Sequence, residues 1–436
     1  MSDALAALEK VRRADEKFSC MAHVPDAVSA APQGPLSGVF IGVKDNVCVA
    51  GMPAAAGSKI LEGYVPSFSA TAVSRLRQAV ATVGGKNVMD AFGFGTFNVN
   101  THKVAKNPND ATRSAGGSSG GCAALTGASG IPCVAESTGG SISAPAAFCG
   151  VVGVTPTYGK VSRYGLIDYA NSLDKIGTTA TTVKQAFDLL DVMSGPDPRD
   201  FTCLQPEADK KPVKKVALVR ELLEKASPGV QQRVGIAVEK LKEQGIAVDE
   251  IRLEHTENAL YAYYVLAMAE ASTNLAKYVG LRYGQQPTPE ESETYTDYFT
   301  RVRGLFGPEE KRRILLGSFA RTAGYRGKYY DKAARVRTLV IRELKGVLQQ
   351  YDALMMPSMP TVAPRFSDIE TLTPMEHYAM DACTVSANLA GLPHASVPVG
   401  KSDGMPVGLQ IVSDHFQESI VRHYSEIVEK QAIGTN

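Results

Sequence analysis

"RSAGGSSGGCAALTGASGIPCVAESTGGSIS", residues 113–143, carries two glycine-serine clusters inside an apolar part of the chain. The first is Gly116-Gly117-Ser118-Ser119-Gly120-Gly121 and the second is Thr138-Gly139-Gly140-Ser141. One such cluster is ordinarily a turn or a close backbone approach, because glycine has no Cβ and tolerates positive φ. Two clusters, separated by a small-residue helical pattern at 121–129 and a strand-like run at Pro132–Ala135, point to chemistry.

Three chemistries compete for these hydroxyls. A phosphate loop needs G-x-x-x-x-G-K-[ST], whose backbone N–H groups cradle the anion. Gly85-Lys86 is followed by Asn87, position 80 is Val, and no lysine follows GGSSGG, so that motif fails. A nucleophile elbow fits Gly116–Gly120 as G-x-S-x-G, but it requires an apolar strand just before it. KVAKNPNDATRSA (103–115) is polar instead, and none of the histidines at 23, 102, 255, 377, 394, 415 and 423 has the context of a base. Ser172-Leu173-Asp174-Lys175 matches S-x-x-K without an S-D-N or K-T-G partner. The third chemistry uses serine with lysine. A hydroxyl is a weak nucleophile until its proton is taken, and a lysine desolvated by burial can take it. Lys44 directly follows Gly38–Val43 (GVFIGV), a run short and branched enough for a buried strand.

Outward from this centre, helical patterns fit residues 2–19, Thr71–Val80, Val183–Met193, Val230–Gln244, a long stretch from Glu257, and segments of 307–350. Strands fit Val216–Val219, Ile246–Ile251, Tyr351–Met356 and the two runs AGLPHASVPVG and GMPVGLQIV, with a closing helix near 416–430. Residues 194–215 carry four prolines and read as a connection. The alternation of strands and helices predicts a layered α/β fold.

Composition narrows the function. The 436 residues are 44% hydrophobic with a formal net charge of +1, and Lys and Arg are dispersed, so no basic stripe for nucleic acid is visible. The opening MSDALAALEKVRRADEK is charged and helical rather than signal-like, no apolar stretch is long enough for a bilayer, and a cytoplasmic location is the expectation. Seven cysteines without a C-x-x-C pair fit free thiols and no metal site.

Lys44, GGSSGG and TGGS, in that order, resemble the amidase signature family. The resemblance extends through GVKDN (42–46), SAGGSSGGCAA (114–124), ESTGGSISAPAAFCGVVGVTPTYGKVSRYGL (136–166), NSLDKIG (171–177), NLAGLPHASVPVG (388–400) and GMPVGLQIV (404–412). It implies one domain over 1–436, with a central mixed β-sheet sandwiched between helical layers. Its parts would be an N-terminal helical segment (1–30), the signature core (35–195), a helical substrate-pocket region (196–350) and a C-terminal return to the core (351–436). It further implies a Ser–cis-Ser–Lys triad: Ser141 as nucleophile, Ser118 as bridge after a cis peptide from Gly117, and neutral Lys44 as base. Thr138, Gly139, Gly140 and Ser141 would supply the oxyanion N–H groups, and Ser119 would support the network or the substrate.

Within the family the chain is most similar to the glutamine-hydrolysing components of tRNA-dependent amidotransferases, through YYVLAMAEASTNLAKYVGLRYG (263–284), KRRILLGSFA (311–320), GYRGKYYDKAARVRTLV (324–340) and DACTVSANLAGLP (381–393). That likeness implies Arg313 on the glutamine α-carboxylate, with its neighbour Arg312 as the alternative. It also implies Asp381 on the α-ammonium and Tyr263 or Tyr264 closing the pocket. A fork-shaped guanidinium suits a carboxylate. No cofactor is implied for this chain. ATP and Mg would belong to a partner B subunit that holds the mischarged tRNA, and a C subunit would complete a heterotrimer. The alternative is a stand-alone amidase acting on a small carboxamide. Ser137 stands where the family commonly has Asp, Thr155 where Lys is common and Thr178 where Pro is common. The N-terminus is also shorter than the pattern. These departures suggest a divergent lineage, with an archaeal one as a candidate.

Overall fold

The computed structural model describes residues 2–28, 34–204, 212 and 214–433. Eleven strands among them form one sheet: β1 (Met21–His23), β2 (Phe40–Lys44), β3 (Thr82–Asn87), β4 (Cys133–Ser137), β5 (Val152–Thr155), β6 (Lys175–Ala180), β7 (Lys215–Val219), β8 (Ala247–Ile251), β9 (Ala353–Pro357), β10 (His394–Ser402) and β11 (Met405–Val412). Their order is β1-β3-β2-β4-β6-β5-β10-β11-β9-β7-β8. The sheet is mixed: β3, β2 and β4 run parallel, as do β9, β7 and β8, and the ladders joining these groups are antiparallel.

Side chains alternate across each strand, so a sheet covered on both faces needs apolar residues at successive positions. In β7, Val216 and Leu218 enter one core while Ala217 and Val219 enter the other. In β9, Met355 joins the first core, whereas Leu354 and Met356 join the second. Helices Thr71–Gln78, Val183–Met193, Pro228–Glu243 and Glu418–Ile433 cover the first face through Leu76, Phe187, Val234 and Tyr424. The opposite face is shared. Gly120–Ser129 and Ser143–Cys149 lie over the strands of the signature segment. Thr256–Asn274 and Tyr330–Leu348 lie over the β9–β7 end.

The helix expected at Val183–Met193 forms with those bounds, capped by Thr182 accepting from the Gln185 amide. The run at 38–43 pairs from Phe40 and extends to Lys44, because Gly38 takes a turn conformation at φ 81°. The helix begun at Thr71 ends at Gln78, and Val80 has φ 76°. The connection at 194–215 is partly a described turn region up to Leu204; residues 205–211 and 213 lie outside the described residues, and Lys215 already belongs to β7. No helix of the described residues is long and apolar enough to cross a membrane.

Candidate active site

Lys44 ends β2, and the neighbouring parallel strand β4 ends at Ser137, so both chains deliver their next residues to the same edge of the sheet. The first glycine-serine cluster arrives from the loop before helix Gly120–Ser129, and the second turns from β4 into helix Ser143–Cys149. The peptide bond from Gly117 to Ser118 is cis. Lys44 is fully buried, and its Nζ donates to Ser118 Oγ at 2.7 Å.

Lys44 also meets a partner not assigned to it from the sequence. Its Nζ lies 2.8 Å from Glu136 Oε2 and donates at 3.0 Å to the Glu136 carbonyl. The Glu136 side chain is 1% exposed and accepts further from Asn46 Nδ2 at 3.1 Å and Thr138 Oγ1 at 2.8 Å. Thr138 Oγ1 is equally 2.8 Å from Asp174 Oδ1. A single hydroxyl proton serves one of these two carboxyl groups. Burial, and after it the Glu136 charge, hold the Asp174 carboxyl well above its ordinary range. Asp174 is also held in place by the amides of Tyr169 and Ala170, which donate to its two oxygens at 2.9–3.1 Å.

Ser141 is 7% exposed. Among the described residues no hydrogen bond joins its Oγ to Ser118 Oγ, so the structure brings Lys44 to Ser118 and leaves the second link of the expected relay open. The Ser141 carbonyl accepts from Ser119 N at 3.1 Å, and Ser119 Oγ donates to the Glu136 carbonyl at 2.9 Å. Ser119 thus braces β4 and the loop of Ser141 from within. No amide N–H of Thr138, Gly139, Gly140 or Ser141 finds an acceptor among the described residues. Unpaired buried N–H groups are rare, so four in succession are donors open to an incoming acceptor. Two of these positions accept only glycine. A Cβ on Gly139 would lie 2.3 Å from Tyr263 Cζ, and one on Gly140 would lie 2.2 Å from Thr384 Oγ1.

The pocket residues converge from a distant part of the chain. Tyr263 packs on Gly139, and Tyr264 donates its hydroxyl to Asp381 Oδ2 at 2.6 Å, so both tyrosines face the site. Thr96 Oγ1 donates to the other Asp381 oxygen at 2.9 Å. Burial raises the Asp381 carboxyl to about 6. Of the two arginines in helix Pro308–Arg321, Arg312 is exposed and pairs with Glu309. Arg313 is 3% exposed. It donates from Nε to Glu309 Oε1 at 2.8 Å and from Nη1 to the Tyr169 hydroxyl at 2.5 Å, with its guanidinium 4.9 Å from the Phe94 ring centroid. A cleft of about 420 Å³ opens beside Arg313, Tyr378, Thr96 and Asp90.

Three further site residues carried no sequence signal, Thr96, Tyr169 and Asp90, and Asp174 stood out only as part of NSLDKIG and of the S-x-x-K match. Asp90 follows β3 and accepts from the amides of Asn98 and Asn100 at 3.0 and 2.8 Å, and burial raises it to about 6. It lies against Gly117, where a Cβ would come within 2.1 Å of Oδ2. The decoys separate in space. Ser172 Oγ donates to Glu270, while Lys175 Nζ is buried and finds no acceptor among the described residues. No histidine among the described residues hydrogen-bonds to Ser118 or Ser141.

A mixed sheet thus brings a buried lysine, two serine loops and four amides without acceptors among the described residues to one strand edge. The Amidase family model matches residues 7–421, and the chain belongs to that family. It is 43% identical over 412 residues to the A subunit of glutamyl-tRNA(Gln) amidotransferase from Methanococcoides burtonii, covering 91% of this chain and 85% of the relative. The Lacticaseibacillus paracasei protein of the same name is 42% identical over 418 residues, covering 93% and 86%. Archaeal and bacterial relatives therefore match alike, and the likeness does not single out an archaeal lineage. The crystal structure of the Thermotoga maritima protein of that name superposes with a TM-score of 0.84 at 34% identity, covering 98% of this chain and 90% of that one. Native peptide amidase from Stenotrophomonas maltophilia gives 0.80 at 26% identity, covering 99% and 93%.

Proposed function

We propose that this chain is the glutamine-hydrolysing subunit of a tRNA-dependent amidotransferase. Ser141 attacks the side-chain carboxamide of glutamine as Ser118 accepts its proton and passes one to Lys44. The four amides of Thr138–Ser141 receive the oxyanion; removal of one such donor typically costs ~3–4 kcal/mol of transition-state stabilisation. The relay then returns a proton to the leaving ammonia, and water releases glutamate from Ser141. The observation that carries the choice of substrate is the buried pair of opposite charges, Arg313 and Asp381, on one wall of the site. A free α-amino acid presents a carboxylate and an ammonium, the charges complementary to this pair. Tyr264 sets Asp381, and Tyr263 backs the oxyanion loop.

The names of the relatives, each the A component of a larger amidotransferase, support the wider assembly. A B subunit would hold Glu-tRNA(Gln) or Asp-tRNA(Asn), with ATP and Mg bound there, and a C subunit would clasp the two in the cytoplasm. This chain itself takes no cofactor. The test is ammonia release from glutamine by the chain alone, then with its partners and mischarged tRNA. Strong stimulation is expected. Partner-independent turnover of simple carboxamides, with none of glutamine, would overturn the reading in favour of a stand-alone amidase.

A further inference from the structure

Lys44 has three acceptors around one nitrogen: Ser118 Oγ, the Glu136 carbonyl and Glu136 Oε2. Three donors with three acceptors is the pattern of an ammonium. An ammonium holds no lone pair, so it takes nothing from Ser118. The carboxylate is also anchored where it is, by Asn46 and Thr138. Both side chains are essentially inaccessible to water. The proton that Lys44 must shed therefore has one acceptor of suitable chemistry within reach.

We infer that the base in this chain is the Lys44–Glu136 pair, with Glu136 storing the proton that Lys44 gives up. The inference rests on the serine-lysine reading above. In the resting pair, one N–H bond of Lys44 breaks and an O–H bond forms on Glu136 Oε2. The pair stays neutral, and no proton crosses to solvent. The freed lone pair accepts the Ser118 proton while Ser118 accepts that of Ser141. The pair then carries one positive charge, matching the negative charge on the acylation intermediate. Collapse of that intermediate sends a proton back through Ser118 to the leaving group.

The surrounding groups fit this proton count. Asp174 faces Glu136 through Thr138, Asp90 and Cys122 face Lys44 from the segments after β3 and in helix Gly120–Ser129, and the Lys86–Asp45 ion pair lies beyond. Burial raises both the Asp174 carboxyl and the Cys122 thiol, which disfavours a competing negative charge on either. Asp90 and the Lys86–Asp45 pair are unchanged by substitution at 136.

The experiment follows covalent labelling of Ser141 in the full chain by a sulfonyl fluoride, read by mass spectrometry between about pH 5 and pH 10. Serine attack forms the O–S bond and expels fluoride, so the rate reads removal of the Ser141 proton without any assumption about the natural amide. Glu136→Gln cannot store the proton, and its ascending limb should lie at least one pH unit above that of the wild type, a tenfold or greater loss of labelling rate on the wild-type limb. Glu136→Asp should keep the wild-type limb with a lower plateau. A limb that moves downward in Glu136→Gln, or one that stays in place, overturns the inference while leaving the serine assignment intact. Absence of label on Ser141 in the wild type overturns that assignment itself.

Discussion

At the residue scale, the site depends on a few atoms whose neighbours are fully specified. Ser141→Ala removes the attacking oxygen and Lys44→Ala the base, so each should lower kcat for glutamine hydrolysis by about 10⁴-fold or more, as removal of members of a serine catalytic set does. Steady-state ammonia release with circular dichroism as a folding control measures both; near-wild-type turnover in Ser141→Ala would refute the nucleophile. Asp381 makes a pH prediction. Its carboxyl sits at about 6 through burial, so below that pH it becomes neutral and no longer attracts an ammonium. The KM for glutamine should rise toward tenfold per unit below about pH 6 while kcat changes less, and Asp381→Asn should raise KM at pH 8 and flatten this dependence. Asp90 titrates in the same range but is held by backbone amides, so a dependence that survives in Asp381→Asn would assign it to Asp90 instead. The linkage sign for stability is opposite to that for binding. Between the ordinary carboxyl value and about 6 the folded form binds more protons than the unfolded chain, so this group lowers stability as pH rises through that window.

At the element scale, β6 holds a cost unrelated to the proposed chemistry. Lys175 opens the strand fully buried, without a hydrogen-bond acceptor among the described residues, and burial brings its amine down to about 7. From about pH 7 up to the ordinary lysine range, the unfolded chain binds a proton that the folded chain does not, so stability rises with pH across that window. Lys175→Met keeps the volume of the stem and removes the buried amine. It should raise the melting temperature at pH 7 by several degrees and abolish the gain between pH 7 and pH 10, with glutaminase activity retained. A lower melting temperature at pH 7 would show that the amine has a stabilising partner.

Elements also mark where the sequence is readable. Val183–Met193 announces itself because its apolar positions repeat at helical spacing and Thr182 caps it. β7 and β9 are legible because burial on both faces demands unbroken apolar runs. β3 hides, since TVGGKN places glycines at two central positions, pressed against Phe40 and His23. β5 and β6 hide for related reasons: VGVT is only four residues long and KIGTTA is mostly small or polar, and they hold their place by pairing with each other and with β4 and β10.

At the scale of the whole molecule, the meeting of Lys44 with Ser118 is legible because the buried strand ending at Lys44 and the glycine-rich stretch around Ser118 both stand out in the sequence. The pocket is less so. Choosing Arg313 over Arg312 needs the rotation of one helix against Tyr169 and Phe94, residues far earlier in the chain. Asp90, Tyr169 and Thr96 escape for the same reason: single polar residues in unremarkable local sequence gain meaning only when the sheet brings β3, β4 and the helix at Thr256–Asn274 to one edge.

That convergence has a consequence for how such a protein changes over generations. The groups assigned to bond breaking all lie before position 142, whereas Arg313, Tyr263, Tyr264 and Asp381 enter from the later half. Mutations at Arg313, Tyr264 or Asp381 rebuild the later wall and leave the lysine and the serines in place, whereas Tyr263 also backs Gly139 of the amide bank. New amides can thus be tried one pocket residue at a time, on a reactive centre that never has to be reinvented.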